Sequence, residues 1–288
     1  MMDVVADVSR PAIRYHGAKF RLASWILQFF PEHECYVEPY GGAAGVLLQK
    51  PRSYAEVYND IDGEITNFFS VVRDPASRER LIEALLLTPY ARVEFDLAYE
   101  PTDDPVEMAR RTAIKAQMGF GSAGATKGKT GFRVDSAREY GTAWSLWSRY
   151  PESLSAVGNR FTNVLIENLD ALDVMTMHDA PTTLHYVDPP YLLSTRQMHG
   201  LSRYYRYEMT DTEHVRLLDC LKALQGMVVL SGYDSPVYRE MLSAWPAYST
   251  QSVIAAGRGS GKRTEMVWMN QACHDALYGD AGPLFRAL

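Results

Sequence analysis

The chain has 288 residues, of which 47% are hydrophobic and 22% charged, with a net charge of −6 at pH 7. That acidity excludes a general nucleic-acid coat protein, and no apolar run approaches the ~20 residues needed to cross a bilayer. The cysteines, Cys35, Cys220 and Cys273, are odd in number and far apart, which argues against a disulfide framework or a zinc ribbon and suits a reducing compartment.

Met1 to Arg10 holds Asp3 and Asp7 and lacks the apolar core of a secretory leader, so a loose tail and a cytoplasmic location are expected. Arg14-Tyr15-His16-Gly17-Ala18-Lys19 precedes an amphipathic segment, Phe20 to Phe30, with Leu22, Trp25, Ile26 and Phe29 on one face and Pro31 at its end. The spacing predicts a helix there. Cys35 to Glu38 reads as a first strand. The turn Pro39-Tyr40-Gly41-Gly42-Ala43-Ala44-Gly45 follows, and Val46-Leu47-Leu48 predicts the start of a helix. Strand, glycine-rich turn, helix is a layout that receives nucleotide-like ligands, because glycine lets the backbone approach where a Cβ would collide. His33 near Cys35 lacks a second pair at ligand spacing, so packing rather than metal binding is expected, and no metal site is assigned.

Tyr54 to Tyr58 reads as a second strand ending in Asn59-Asp60. An acid at that tip can accept hydrogen bonds from both ribose hydroxyls of a nucleoside. Capping the next helix, Gly63 to Val72, is the other role open to Asp60, although Asp62 would serve equally well. From Asp74 to Arg160 the pattern becomes helical, over Arg78 to Leu87, Arg92 to Ala98 and Val106 to Met118. Gly119 to Arg133 is too glycine-rich for a helix and reads as a loop or hairpin. Between Pro105 and Arg160 there are nine basic and four acidic residues, a surplus of five on an acidic chain. Such segregation suits phosphate contact, with Lys127, Lys129 and Arg133 as candidates. Trp144 and Trp147, three apart, are expected in the core.

Asn163 to Glu167 predicts a third strand, followed by Asn168-Leu169-Asp170. Leu184 to Val187 is a short buried strand that runs into Asp188-Pro189-Pro190-Tyr191. The prolines stop strand pairing, since neither donates an N–H. A carboxylate, a rigid turn and an aromatic ring therefore stand past the C-terminal end of a strand, the edge where open α/β sheets bind ligands. Leu192 to Tyr207 interleaves Arg196, Arg203 and Arg206 with tyrosines, as suits a segment near bases and phosphates. Thr210 caps a helix to Leu224, Met227 to Leu230 is the next strand, and Pro236 to Ser243 the next helix. Tyr248 to Ile254 and Glu265 to Met269 flank a basic glycine turn and read as a hairpin. Its Gly-Lys lacks phosphate-loop spacing and precedes a strand, which excludes an ATPase reading.

Taken in order, the aromatic-to-lysine stretch Tyr15–Lys19, Glu38-Pro39-Tyr40-x-Gly42, the strand-end Asp60, an insertion, Asp188-Pro189-Pro190-Tyr191 and a terminal hairpin resemble the Dam-type (D12 class, alpha-group) DNA adenine N6-methyltransferases. The resemblance runs from about Ile13 to Met269. It implies an α/β, Rossmann-like S-adenosylmethionine-dependent methyltransferase fold. The sheet would be mixed and seven-stranded, with a C-terminal antiparallel hairpin and a mostly helical target-recognition insertion. Residues 11–74 and 161–288 would form the catalytic domain and 75–160 the DNA-binding insertion. The resemblance departs at Ala18 and Ala44, where the family has glycines.

The implied activity is methyl transfer from S-adenosylmethionine to adenine N6 in DNA, with the target base flipped out. Asp188 and the carbonyl of Pro189 would accept the two amino hydrogens, Pro190 would stiffen the turn and Tyr191 would stack on the base. The cofactor would be held by Tyr15, Lys19 (on its carboxylate), Glu38, Gly42, Asp60, Asp170 and Asp188. DNA is the implied partner, contacted by Lys127, Lys129, Arg133, Arg196 and Arg203. A monomer or weak dimer is expected, with or without a cognate restriction enzyme. Two other readings stay open on sequence: methylation of cytosine N4 or of adenine in RNA, and a silent cofactor- or DNA-binding regulator. Relatives acting on cytosine more often carry Ser at the position of Asp188, which favours adenine.

Overall fold

A computed structural model describes residues 8–126, 128–135, 141–195, 205–256 and 259–279. Strands β1 (Cys35–Glu38), β2 (Ala55–Asn59), β3 (Val164–Glu167), β4 (Thr183–Val187), β5 (Met227–Gly232), β6 (Ala247–Ala256) and β7 (Gly259–Met269) form a seven-stranded sheet in the order β3-β2-β1-β4-β5-β7-β6. β1 to β5 pair in parallel, while β7 is antiparallel to both β5 and β6. Every residue of β4 and β5 is buried, as expected where helices cover both faces of a sheet. Val37 of β1 stands in register with Val57 of β2 on one side and His185 of β4 on the other.

The helices are α1 (Ala23–Ile26), α2 (Gly63–Arg73), α3 (Pro75–Leu87), α4 (Arg92–Leu97), α5 (Pro105–Met118), α6 (Ala143–Ser148), α7 (Leu154–Phe161), α8 (Ala171–Met177), α9 (Asp211–Ala223), α10 (Pro236–Met241) and α11 (Gln271–Tyr278). Their starts follow local chemistry. Asp62, Asp74, Asp104, Thr142, Asp170, Ser235 and Asn270 each accept a hydrogen bond from a backbone N–H of the following first turn. Thr210 and Glu213 complete a reciprocal capping box at α9.

On one face of the sheet, Tyr36 and Tyr58 join a buried cluster that also contains Phe68 and Phe69 of α2, Leu81 of α3, Ile114 of α5 and Phe161 of α7. The helices between β2 and β3 thus share their core with the sheet. On the opposite face, Val187 and Leu230 pack with Leu217, Leu218 and Leu221 of α9, Tyr238 of α10 and Trp268 of β7. A buried ion cluster closes the long excursion between β2 and β3. Glu56 of β2 accepts from Arg160 of α7 at 2.6 and 2.9 Å and from Lys50 at 2.8 Å, and Arg160 is 1% exposed.

Three expectations need correction. The helix from Phe20 to Phe30 is only α1 plus a 3-10 turn, Leu27–Phe29. Residues 20–22 are turns rather than helix, and before Pro31 Phe30 is in extended backbone (φ −97°, ψ 108°), which closes the segment at Phe29. Val46-Leu47-Leu48 starts no helix. The chain makes successive turns, with one helical turn's bonds (Leu48 N–H to Ala44 O, Lys50 N–H to Val46 O) before Pro51. Trp144 is 46% exposed and is not core, whereas Trp147 is buried and donates through Nε1 to Thr88 O at 2.8 Å.

Candidate active site

The C-terminal ends of the parallel strands gather Glu38, Asp60, Asp170 and Asp188 at one sheet edge. β1 ends in Glu38, 3% exposed, whose Oε2 accepts from the Tyr36 hydroxyl at 2.7 Å and from Leu47 N–H at 3.1 Å. Glu38 therefore folds the following turn back onto its strand. Burial pushes its carboxyl up to about 8, and the nearby Asp188 adds to the shift against the Tyr36 hydrogen bond.

The turn itself is close-packed. Gly41 N–H donates to Asn59 O at 2.7 Å, and Gly42 N–H to Asp60 Oδ2 at 2.8 Å. Gly42 has φ +47°, and a Cβ there would lie 2.8 Å from Cε1 of Tyr15. Only glycine meets both demands. Ala44, where the resembling family has glycine, holds φ +54°. The backbone thus keeps a glycine-like conformation and the alanine bears the strain, on the order of 1–2 kcal/mol.

Asp60, at the tip of β2, is 8% exposed and accepts from Gly42 N–H and, at 2.8 Å, from Asp62 N–H. Burial still lifts its carboxyl to about 6. Capping of α2 falls to Asp62, which leaves Asp60 facing the turn of β1. Asn59, which sequence reasoning passed over, is fully buried. Its amide donates to Pro39 O (2.9 Å) and Leu169 O (3.1 Å) and accepts from Leu169 N–H (2.9 Å). It ties the loops after β1 and β3 to the end of β2. A hydrophilic amide closing an apolar strand was the available signal. Asp170 is exposed and caps α8 through Leu172 N–H.

Asp188 leaves β4 with its side chain 16% exposed. Ser231, at the end of neighbouring β5, donates to Asp188 Oδ1 at 2.6 Å, and Tyr186 OH lies 3.3 Å from the same serine hydroxyl. Lys19 places its ammonium 3.0 Å from Asp188 Oδ2, donates to Gly17 O at 2.9 Å, and stands 4.6 Å over the centroid of the Tyr191 ring. Burial alone would lower the lysine's pKa, yet Asp188 and then Glu265 outweigh it and raise it, so the lysine stays charged. Tyr191 is braced edge-on by Tyr233 (centroids 4.4 Å apart) and donates its hydroxyl to Glu265 Oε2 at 3.0 Å. Lys19, Asp188 and Tyr191 therefore meet at one point, with Glu38 at the end of β1 and Asp60 at the tip of β2 bonded to the adjoining turn.

The residues after the catalytic-type motif return to this edge. Tyr205 OH donates to His16 O at 3.2 Å, and its ring lies 6.4 Å from that of Tyr15. Arg206 reaches Asp62 (3.1 Å) and Glu64 (3.2 Å). Arg14 donates to Gly119 O at 3.4 Å, so the N-terminal segment also touches the glycine-rich loop.

The basic surplus of residues 105–160 is largely directed inward. Arg110 and Arg111 share Glu107, Lys115 pairs with Glu64, Arg160 with Glu56, and Arg133, 6% exposed, with Asp135. Lys129 is outward, with its side chain 55% exposed and Asp96 2.6 Å away. In the same loop Phe120, between Gly119 and Gly121, donates its N–H to Gly131 O at 2.7 Å and is 68% exposed. Lys127, Arg196 and Arg203 lie outside the described residues.

A mixed seven-stranded sheet in this order, with the site at the ends of β1, β2 and β4, is consistent with a methyltransferase fold. A family model described as D12 class N6 adenine-specific DNA methyltransferase matches residues 15–254. The chain belongs to that family and is a site-specific adenine DNA methyltransferase. Among curated proteins none matches it. Among solved structures it is similar to precorrin 8W decarboxylase, the product of gene MT0146 of Methanobacterium thermoautotrophicum. The TM-score is 0.35 and the identity 9%, over 87% of this chain and 89% of that one. A likeness of that size carries no argument here. Among the described residues no cluster of three or more His, Cys, Asp or Glu could hold a metal ion, and no helix is long and apolar enough to cross a membrane.

Proposed function

We propose that the enzyme takes its methyl group from S-adenosylmethionine and delivers it in line to N6 of an adenine flipped out of DNA. The residues suit that cofactor. Asp60 is a buried carboxylate at a strand tip, beside a turn whose Gly42 has no side chain and beside the Tyr15 ring. Tyr15, Lys19, Gly42 and Asp60 would hold it, Glu38 by fixing the turn and Asp170 from the loop after β3. When bound, the cofactor supplies a methyl group already activated as a sulfonium.

The protein's own work is alignment. Adenine's amino nitrogen is a poor nucleophile because its lone pair is delocalised into the ring. Asp188 and the carbonyl of Pro189 accept its two hydrogens and draw the nitrogen toward tetrahedral geometry, and Asp188 is the acceptor at hand for the proton that N6 gives up. Pro190 stiffens the turn and Tyr191 stacks on the extruded base. One observation carries this reading: a nitrogen bearing hydrogens, Nζ of Lys19, already sits 3.0 Å from Asp188 Oδ2 and 4.6 Å over the Tyr191 ring. An amino group presented to that carboxylate above that ring would occupy the same position, with Lys19 moving aside. On the DNA side, Lys129 offers charge and Phe120 an apolar wedge of the kind that enters base steps; Lys127, Arg196 and Arg203 complete the candidate contacts, while Arg133, buried against Asp135, is not one of them.

The test is transfer of tritium from labelled S-adenosylmethionine to adenine-containing duplex DNA by wild type and Asp188→Ala. Removing the acceptor is expected to cost at least about a hundredfold in kcat, the scale of one lost electrostatic contact at developing charge. Wild-type turnover in the variant would remove Asp188 from the mechanism. Absence of label in adenine with the wild type would refute the reading as a whole.

A further inference from the structure

We propose that Glu265, on the last strand of the sheet, is a positioning residue that sets the orientation of Tyr191, so that the C-terminal hairpin belongs to the reactive site. This rests on the reading that Tyr191 stacks on the target base.

The topology brings the residue there. β1 to β5 run parallel, and their C-terminal ends form the reactive edge. β7 runs the opposite way beside β5, pairing Gly232 with Met266 and Ser231 with Val267. Its early residues therefore arrive at that same edge. Arg263 and Glu265, two apart, share one face of the strand. Arg263 donates to the Tyr233 hydroxyl at 3.0 Å, and Tyr233 presses edge-on against Tyr191. Glu265 takes the Tyr191 hydroxyl itself at 3.0 Å. The two residues thus fix the two rings, one at its tip and one through its buttress.

Burial makes the arrangement informative. Glu265 is 7% exposed, and a carboxylate so placed is costly unless it is compensated. Part of that compensation comes from the reactive centre: the Tyr191 hydroxyl, and the Lys19 ammonium, whose proton affinity Glu265 raises. An aromatic ring after two prolines has a constrained backbone, yet its tilt is open until its hydroxyl is held. A stacking platform tilted away from the base misplaces the amino nitrogen relative to Asp188, and small misplacements at a reacting centre are expensive in rate.

The experiment compares Glu265→Ala, Glu265→Gln and Tyr191→Phe in steady-state methylation of an adenine-containing duplex, with kcat and the KM for cofactor measured separately. Glu265→Ala is expected to lower kcat by between about ten- and about a hundredfold, with the cofactor KM within about twofold of wild type. Glu265→Gln keeps an oxygen acceptor for the Tyr191 hydroxyl and should recover kcat to within about threefold of wild type. In Tyr191→Phe the hydroxyl is gone, so adding Glu265→Gln should cost nothing more. Wild-type kcat in Glu265→Ala, equal losses in the Ala and Gln variants, or a further loss in the double variant would each overturn the proposal. If Glu265→Ala does not fold, Tyr191→Phe decides: it keeps the ring but removes the hydroxyl that Glu265 holds, so kcat should fall by about ten- to about a hundredfold, and wild-type kcat would overturn the proposal. Failure of the wild type to methylate adenine would instead refute the underlying function, whatever Glu265 does.

Discussion

Glu38 makes stability depend on pH in a way that one substitution should remove. Its carboxyl is buried at the end of β1 and raised from 4.5 to about 8. Below pH 4.5 both folded and unfolded chains carry the proton, and the folded state has its full stability. Between 4.5 and 8 the folded state keeps a proton that the unfolded chain releases, so this contribution to stability falls as pH rises and is gone once pH passes the folded value. At 1.36 kcal/mol per pH unit, the interval amounts to about 5 kcal/mol. Glu38→Gln retains an oxygen for Tyr36 OH and Leu47 N–H but has no proton to lose. Urea unfolding of both proteins from pH 5 to pH 8 should show the wild type losing about 4 kcal/mol relative to the variant across that range. Asp60, raised in the same direction, titrates in both proteins and cancels in the difference. Parallel stability profiles would refute the reasoning, because Glu38 would then already be ionised in the folded protein at pH 5, held by Tyr36 and Leu47.

Two further outcomes follow from packing. Gly42→Ala forces a side chain into φ +47° and against the Tyr15 ring, so it should destabilise by at least about 1–2 kcal/mol and weaken cofactor binding in calorimetry; unchanged affinity would separate that turn from the cofactor. Arg160→Ala leaves Glu56 with Lys50 as its remaining cation partner in the cluster and should cost about 3 kcal/mol in chemical denaturation, the scale of a broken buried pair. A loss under about 1 kcal/mol would mean that Lys50 alone neutralises Glu56.

The fold was legible where the sequence changes character sharply. Apolar runs ending in Glu38, Asn59-Asp60 and Asp188-Pro189 marked the strands, and the hairpin around the basic glycine turn was visible, though β6 and β7 run longer than expected. The candidate residues Glu38, Asp60 and Asp188 were picked out because they sit at those strand ends, and the structure places them there. What failed was periodicity in short apolar stretches. Val46-Leu47-Leu48 is buried on all sides, so its composition says nothing of helix, and Pro51 stops the single turn that forms. The charge surplus of the insertion misled for a different reason. A count of bases does not register their partners, and Glu56, Glu64 and Glu94 lie outside the window that was counted. Glu265 was invisible because its role depends on a contact with a residue far away in sequence, Tyr191; Asn59 left a signal as the amide closing its strand, but its partner Leu169 is just as distant.

The clasp of Glu56 and Arg160 joins positions 104 residues apart. It fastens both feet of the excursion that leaves after β2 and returns before β3. Severing the polypeptide at an engineered protease site near Gly128 should therefore leave two pieces that travel together through a sizing column, and Arg160→Ala should let them come apart at lower urea than the clasped pair.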